Sequence, residues 1–184
     1  NPLTIELLRH RKINSVDEAR SFLFGSLEDL QDPYLIKGME KAVRRILQAI
    51  DTSELMIVHG DYDVDGVTAS AIVGRTLTRL GAKWKAFVPH RVKNGYGFTK
   101  GGVEFAIAEN AKIIITLDCG TVSIDEVKSA QDAGIDCLIF DHHQIKDGNL
   151  PEAHSVVNPL QPDCESPDCG RAQRPGDRRI HQIL

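Results

Sequence analysis

Five short apolar runs recur along the chain at intervals that leave room for a helix between most of them. They are LMIVH (55–59), WKAFV (84–88), KIIITLD (112–118), IDCLIFD (135–141) and HSVVN (154–158). Runs this short and this apolar read as strands buried on both faces. Helix-like sequence fills the gaps at 67–80, 102–110 and 123–134, the first closing on Gly81. Apolar strands alternating with helices predict an α/β fold, a parallel sheet flanked by helices.

A helical N-terminal segment is expected ahead of the sheet. Ser15 and Glu18 have the spacing of a capping box, followed by ARSFLF at 19–24. Asp32-Pro33 breaks that helix. Met39, Val43, Ile46, Leu47 and Ile50 then mark one face of a second helix over roughly 37–50. The expected divisions are a helical lead-in (1–53), an α/β core (54–164) and a divergent tail (165–184). That tail is rich in Arg, Pro and Gly and has no clear period, so it reads as loop or disorder.

Where the acids and histidines fall is more informative than their number. HGDYDVDG (59–66) follows the first strand, Asp118 ends the third, and Asp141-His142-His143 ends the fourth. Ligands of an open parallel sheet bind beyond the carboxyl ends of its strands. These clusters are therefore expected to meet along one edge. Carboxylates crowded in this way repel one another and raise some of their own pKa values unless cations compensate. An oxygen-rich set with a few imidazoles suits Mn²⁺ or Mg²⁺ better than Zn²⁺. Enough ligands are present for two ions, the arrangement that activates water in phosphoester cleavage. Taken alone, Asp61, Asp63 and Asp65 also fit an acidic turn that caps a helix. A calcium loop starting at Asp61 fails, because Ile72 stands where its twelfth-position Glu belongs. Cys119 reads as a small buried thiol or a soft metal ligand. Cys164, Cys169 and His181 have poor spacing for zinc.

The loop PHRVKNGYG (89–97) leaves the same edge after the second strand. His90, Arg91, Lys93 and Tyr96 can face a phosphate, and Gly95 and Gly97 let backbone approach it. A basic surface loop is the alternative.

Composition narrows the partners. The chain has 184 residues, 41% of them apolar, enough for a real core and too many for a disordered chain. Aromatics make up 5% with one Trp, which argues against a coat of stacking rings. A net charge of −4 does not suggest a strongly basic module, although a local basic rim beside metal ions still attracts phosphates. No apolar run is long enough for a membrane span, and no secretory leader is evident. Four scattered cysteines suit a reducing, cytoplasmic setting.

HGDYDVDG, the PHR…GYG loop, ITLDCG (115–120) and FDHHQ (140–144), in this order and spacing, resemble the DHH phosphoesterase superfamily. Within it the chain is most similar to single-strand-specific exonucleases, over about residues 3–164. The resemblance implies a hydrolase with two metal ions, usually Mn²⁺. His59, Asp63 and Asp118 would hold one ion. Asp65, Asp118 and His142 would hold the other. His143 would face the scissile phosphate, with Asp61 and Asp141 as supporting carboxylates and Arg91 on a substrate phosphate. The implied substrate is single-stranded DNA, degraded from its 5′ end in recombination and repair. No particular protein partner is implied. Such enzymes usually carry Asn where Cys119 stands, and a further Asp ligand and domains beyond the VVNPLQPD segment. On that reading this chain is a fragment, expected to be weakly active or inactive alone. A phosphoesterase acting on short oligonucleotides or small nucleotide phosphates, and a non-catalytic binding module, are the alternatives.

Overall fold

The computed structural model describes residues 1–26, 32–162 and 164. The chain divides into two compact units, residues 1–32 and 33–184. The first unit holds α1 (Pro2–His10) and α2 (Val16–Phe24). The capping box expected of Ser15 and Glu18 forms: the Glu18 amide donates to Ser15 Oγ at 3.1 Å, and the Ser15 amide to Glu18 Oε2 at 3.2 Å.

The second unit is a parallel sheet with helices on both faces. Its elements are α3 (Met39–Asp51), β1 (Leu55–Gly60), α4 (Val64–Arg79), β2 (Lys83–Phe87), α5 (Lys100–Ala108), β3 (Ile113–Leu117), α6 (Ile124–Asp132), β4 (Asp136–Phe140) and β5 (Ser155–Val157). The strands run in the order β2-β1-β3-β4-β5, every pair parallel. The expected fold class is the one observed, and all five apolar runs are strands. β3 is buried along its whole length, and β1 is buried from Met56 onward, which explains their unbroken apolarity. β2 is an edge strand in which Trp84 and Phe87 are half-buried and the other residues are exposed.

The side-chain period of two sorts the core onto two faces. Ile57, Ile114, Cys137 and Ile139 pack on one face with Val103 and Ala106 of α5 and Val127 and Ala130 of α6. Met56, Val58, Ile113, Ile115 and Leu138 pack on the other with Ala49 of α3 and Ala69 and Leu77 of α4. The sequence groups residues 1–53 as one lead-in; in the fold the stretch from Pro33 onward falls in the second unit. There Ile36, Met39 and Ala42 cluster with Val157 of β5. The expected tail at 165–184 lies outside the described residues. Among the described residues no helix is long and apolar enough to cross a membrane.

This strand order has a functional consequence. From β1 the chain first adds β2 on one side and then β3 on the other, so it reverses direction between β1 and β3. A crevice opens at such a switch point, outside the carboxyl ends of the two strands. His59 and Gly60 end β1, and Asp118 follows β3.

Candidate metal centre at the carboxyl edge of the sheet

The loop from β1 to α4 is wound tightly against the first turn of α4. A Cβ on Gly66 would lie 2.4 Å from the Asp61 amide nitrogen and 2.5 Å from its carbonyl oxygen. Only glycine fits there. Alanine gains about 1 kcal/mol of helix propensity over glycine, yet this contact is with backbone that cannot move aside cheaply. We expect Gly66→Ala to destabilise the fold by about 2 kcal/mol net, as overpacking does. Thermal unfolding should fall by about 4–8 °C, at the few degrees per kcal/mol usual for a chain of this size. An unchanged melting temperature would show that the loop can relax.

α4 starts at Val64, three residues before the start predicted at 67. The reason lies in the acidic motif itself. Asp63 is the N-cap, and its Oδ1 accepts the amides of Asp65 at 3.1 Å and Gly66 at 3.0 Å. The helix-capping alternative for the acidic turn therefore describes one role of Asp63. Asp65 sits exposed in the first helical turn. Asp61 is fully buried; its Oδ1 accepts the Tyr62 amide at 2.6 Å, and its Oδ2 has no hydrogen-bond partner. Burial pushes the Asp61 carboxyl up, and the nearby charges of Asp63 and Asp118 add to that.

His59 is also fully buried, its ring 5.1 Å from that of Phe87 and 5.2 Å from that of Phe98. Its Nδ1 lies 4.0 Å from Cys119 Sγ, and its Nε2 has no hydrogen-bond partner. Burial pushes the imidazole down to about 4, so the ring is neutral near pH 7 and keeps a lone pair.

Asp118 follows β3 in a left-handed conformation, φ 61°. Its amide donates to the Phe140 carbonyl at 2.9 Å, which turns the carboxylate toward the end of β4. There Asp118 Oδ1 meets His142 Nε2 at 2.9 Å. That hydrogen bond is the main reason the His142 imidazole is pushed up, against its partial burial.

Asp141 organises the histidine pair. Its Oδ1 accepts the amides of His142 at 2.7 Å and His143 at 3.1 Å, and meets His143 Nδ1 at 2.7 Å. Its Oδ2 accepts the Thr121 amide at 2.9 Å. Burial alone would raise this carboxyl, but hydrogen bonds from His143 and Thr121 outweigh burial and hold it well below the usual carboxylate range. The bond to Asp141 likewise pushes His143 up. Asn158, fully buried, donates through Nδ2 to the His143 carbonyl at 3.0 Å and to Thr121 Oγ1 at 2.9 Å. Thr121 and Asn158 were not among the predicted site residues. The Asn-Pro step that closes the fifth apolar run was the available signal for Asn158.

The glycine-rich loop reaches the same place. Its first half is a closed turn in which the His90 amide donates to Asn94 Oδ1 at 2.9 Å. His90 Nδ1 accepts the Val92 amide at 3.2 Å, which fixes the ring and puts its proton on Nε2. Gly95 and Gly97 take left-handed φ values of 89° and 79°. Arg91 lies over the Tyr62 ring, 5.6 Å from its centroid, and Tyr62 meets Tyr96 edge-on at 5.8 Å. Tyr96 in turn places its hydroxyl 3.5 Å from His143 Nε2. Burial of that hydroxyl and the charges of Asp61, Asp118 and Asp63 push it up to about 12. Tyr62, which the motif supplies between Asp61 and Asp63, is a further member that sequence reasoning missed.

The structure thus brings the predicted residues to one edge but not into one ligand set. Ligand atoms of Asp118, His142 and His143 lie within 4.8 Å of one another, the one such group among the described residues. His59 sits beside Cys119 with its ring against Phe87, Phe98 and Gly102, and Asp63 is engaged as a helix cap.

A doubly wound parallel sheet that gathers carboxylates and imidazoles at its switch point defines an α/β protein with a candidate divalent-cation centre. The chain belongs to the DHH family: the family model described as "DHH family, N-terminal domain" matches residues 55–172. It is 37% identical over 166 residues to the single-stranded-DNA-specific exonuclease RecJ of Bacillus subtilis, covering 90% of this chain and 21% of that protein. It is 34% identical over 167 residues to RecJ of Escherichia coli, covering 90% and 28%. The chain therefore spans about a quarter of the length of these curated relatives. Among solved structures, exonuclease RecJ bound to manganese matches with a TM-score of 0.64 at 32% identity, over 81% of this chain and 37% of that one. RecJ in complex with Mn²⁺ from Thermus thermophilus matches with a TM-score of 0.63 at 26% identity, over 96% and 24%.

Proposed function

We propose that this chain carries the catalytic centre of a metal-dependent phosphodiesterase that degrades single-stranded DNA from the 5′ end in recombination and repair, in the cytoplasm. The observation that carries the proposal is the convergence of Asp118, His142 and His143 within 4.8 Å, with the buried Asp61, its Oδ2 unpartnered, near enough for its charge to act on His143. Buried polar atoms are rarely left unpaired, and a cation with its water is the partner such a group lacks. The donors are carboxylate oxygens and imidazole nitrogens, which fit Mn²⁺ or Mg²⁺. His59, Asp63, Asp65, Asp118 and His142 would hold two such ions. Bound there, the ions would lower the pKa of an attacking water and stabilise the leaving oxygen.

The protein's own groups do the rest. Asp141 takes the Nδ1 side of His143, which fixes the ring and leaves Nε2 facing the Tyr96 hydroxyl and the open edge. His143 is thereby set to act on the scissile phosphate. Arg91, spread over Tyr62, presents a cation to a substrate phosphate, with His90, Lys93 and the Gly95–Tyr96 backbone around it. The relatives described as single-stranded-DNA-specific support that substrate class. A single strand labelled at its 5′ or its 3′ end and incubated with the protein and Mn²⁺ tests the reading. Slow loss of the 5′ label as mononucleotide ahead of the 3′ label is the expected result, at the weak activity expected of a chain that spans about a quarter of its relatives' length. Metal-dependent loss of the 3′ label first, or equal digestion of duplex, would overturn the polarity or the substrate class.

A further inference from the structure

The segment that ends β5 grips the Asp141-His142-His143 tripeptide at both of its ends. The Asp141 amide donates to the Val157 carbonyl at 3.0 Å. The His143 carbonyl accepts Asn158 Nδ2 at 3.0 Å. Asn158 is itself fixed. It is fully buried, its Oδ1 accepts the Leu160 amide at 2.8 Å, and its carbonyl accepts the Gln161 amide at 3.1 Å. Pro159 presets this turn. Gln161 ties the turn down, donating through Nε2 to the Val156 carbonyl at 2.7 Å and the Lys37 carbonyl at 3.2 Å. The Leu160 amide can only donate and the His143 carbonyl can only accept, so the Asn158 amide has one possible orientation.

The same amide gives the network its direction. Asn158 Nδ2 also donates to Thr121 Oγ1 at 2.9 Å, so the hydroxyl proton must point elsewhere. Asp141 is its acceptor: the Thr121 side chain bonds to Asp141, and the Thr121 amide donates to Asp141 Oδ2 at 2.9 Å. On its other side Asp141 Oδ1 meets His143 Nδ1 at 2.7 Å. Donors therefore run one way, from Asn158 to Thr121 to Asp141, and leave the carboxylate as a pure acceptor for the His143 Nδ1 proton. Buried hydrogen bonds aligned in one direction polarise and strengthen one another. His143 is thus anchored twice, by its carbonyl and by its ring, and Asn158 stands at the head of both anchors.

We propose that Asn158 and Thr121 are positioning residues for His143, holding its ring so that Nε2 faces the reacting phosphate. This role rests on the function proposed for His143. Two near-isosteric variants test it. Thr121→Val keeps the shape and the backbone amide but removes the hydroxyl. Asn158→Asp keeps the bond from the Leu160 amide, but its carboxylate accepts the Thr121 hydroxyl and draws it away from Asp141. Each should lower the single-turnover rate of Mn²⁺-supported cleavage of a single strand at least about tenfold, since a misplacement of ~1 Å can cost about 10²-fold. Mn²⁺ affinity by calorimetry and single-strand affinity by anisotropy should stay within about threefold. Thr121→Ser, which restores the hydroxyl, should recover most of the rate lost in Thr121→Val. In a His143→Gln background Thr121→Val should cost less than about twofold more, because the group it positions is gone. A metal-free readout stands beside these. In EDTA the His143 Nδ1 proton, assigned by NMR with His143→Gln, should exchange with water at least about tenfold faster in Thr121→Val and Asn158→Asp than in the wild type. If Asn158→Asp does not fold by circular dichroism, the Thr121 pair decides. A wild type without Mn²⁺-supported cleavage would overturn the proposed function and leave the exchange rates to decide the positioning. Unchanged rate and exchange in the folded variants, a loss that persists in full in the His143→Gln background, or Mn²⁺ affinity that falls with the rate would overturn the proposal.

Discussion

Asp118→Asn is expected to weaken Mn²⁺ binding by at least about 100-fold while leaving the fold nearly untouched. Asp118 is the acid on which the candidate centre turns, because it is 4% exposed and its carboxylate already meets His142 Nε2 at 2.9 Å. Asparagine is the informative replacement. The residue sits at φ 61°, a region that Asn tolerates and most residues avoid, so alanine would add backbone strain of about 1–2 kcal/mol to the loss of charge. Asn keeps the shape and a hydrogen bond to His142 but removes the anion that a hard cation requires. Even losing a group that merely supports a ligand costs 10–100-fold in metal affinity, and Asp118 is proposed to touch both ions. Calorimetry with Mn²⁺, beside a melting curve, separates the two effects. Unchanged Mn²⁺ affinity in a folded Asp118→Asn protein would remove Asp118 from the centre.

The sheet was legible in the sequence because its central strands are buried on both faces. Residues 113–117 and 137–139 have no solvent side to encode, so each appears as a continuous apolar run. The start of α4 was harder to read. Asp63, Asp65 and Gly66 look like loop residues, and only the bonds from two amides to Asp63 Oδ1 reveal that the loop is the first helical turn. The edge that would carry the chemistry was legible because strand ends converge in a parallel sheet. The contacts within it were not. Thr121 holds Asp141 from 20 residues away, and Asn158 holds the His143 carbonyl from 15. No periodicity records such pairs, since each depends on how two loops close over one strand end. The same holds for His59: its place in the motif is plain, but its enclosure by Phe87, Phe98 and Cys119 comes from three separate loops and strands.

Asp141 and His143 divide their labour by burial. Asp141 is 1% exposed and receives four hydrogen bonds, so it holds other groups in place. His143 is the group it holds out to solvent, with 44% of its side chain exposed. A histidine fixed at Nδ1 and open at Nε2 is placed to exchange a proton or donate a hydrogen bond at a reacting phosphate, a role worth about 10²–10⁴ in rate. His143→Gln should therefore lower the single-turnover rate of Mn²⁺-supported cleavage by that factor. Glutamine can still bond to Asp141 but offers no titrating nitrogen. Affinity for the single strand should stay within about threefold, because an interaction made chiefly in the transition state lowers turnover without loosening the ground state. Arg91, Tyr62 and Tyr96, which form the row leading to His143, remain to hold the strand. Fluorescence anisotropy of a labelled oligonucleotide gives the affinity, and rapid-quench cleavage gives the rate. A large loss of affinity with turnover preserved would make His143 a binding residue and leave the reacting phosphate without its proposed protein partner.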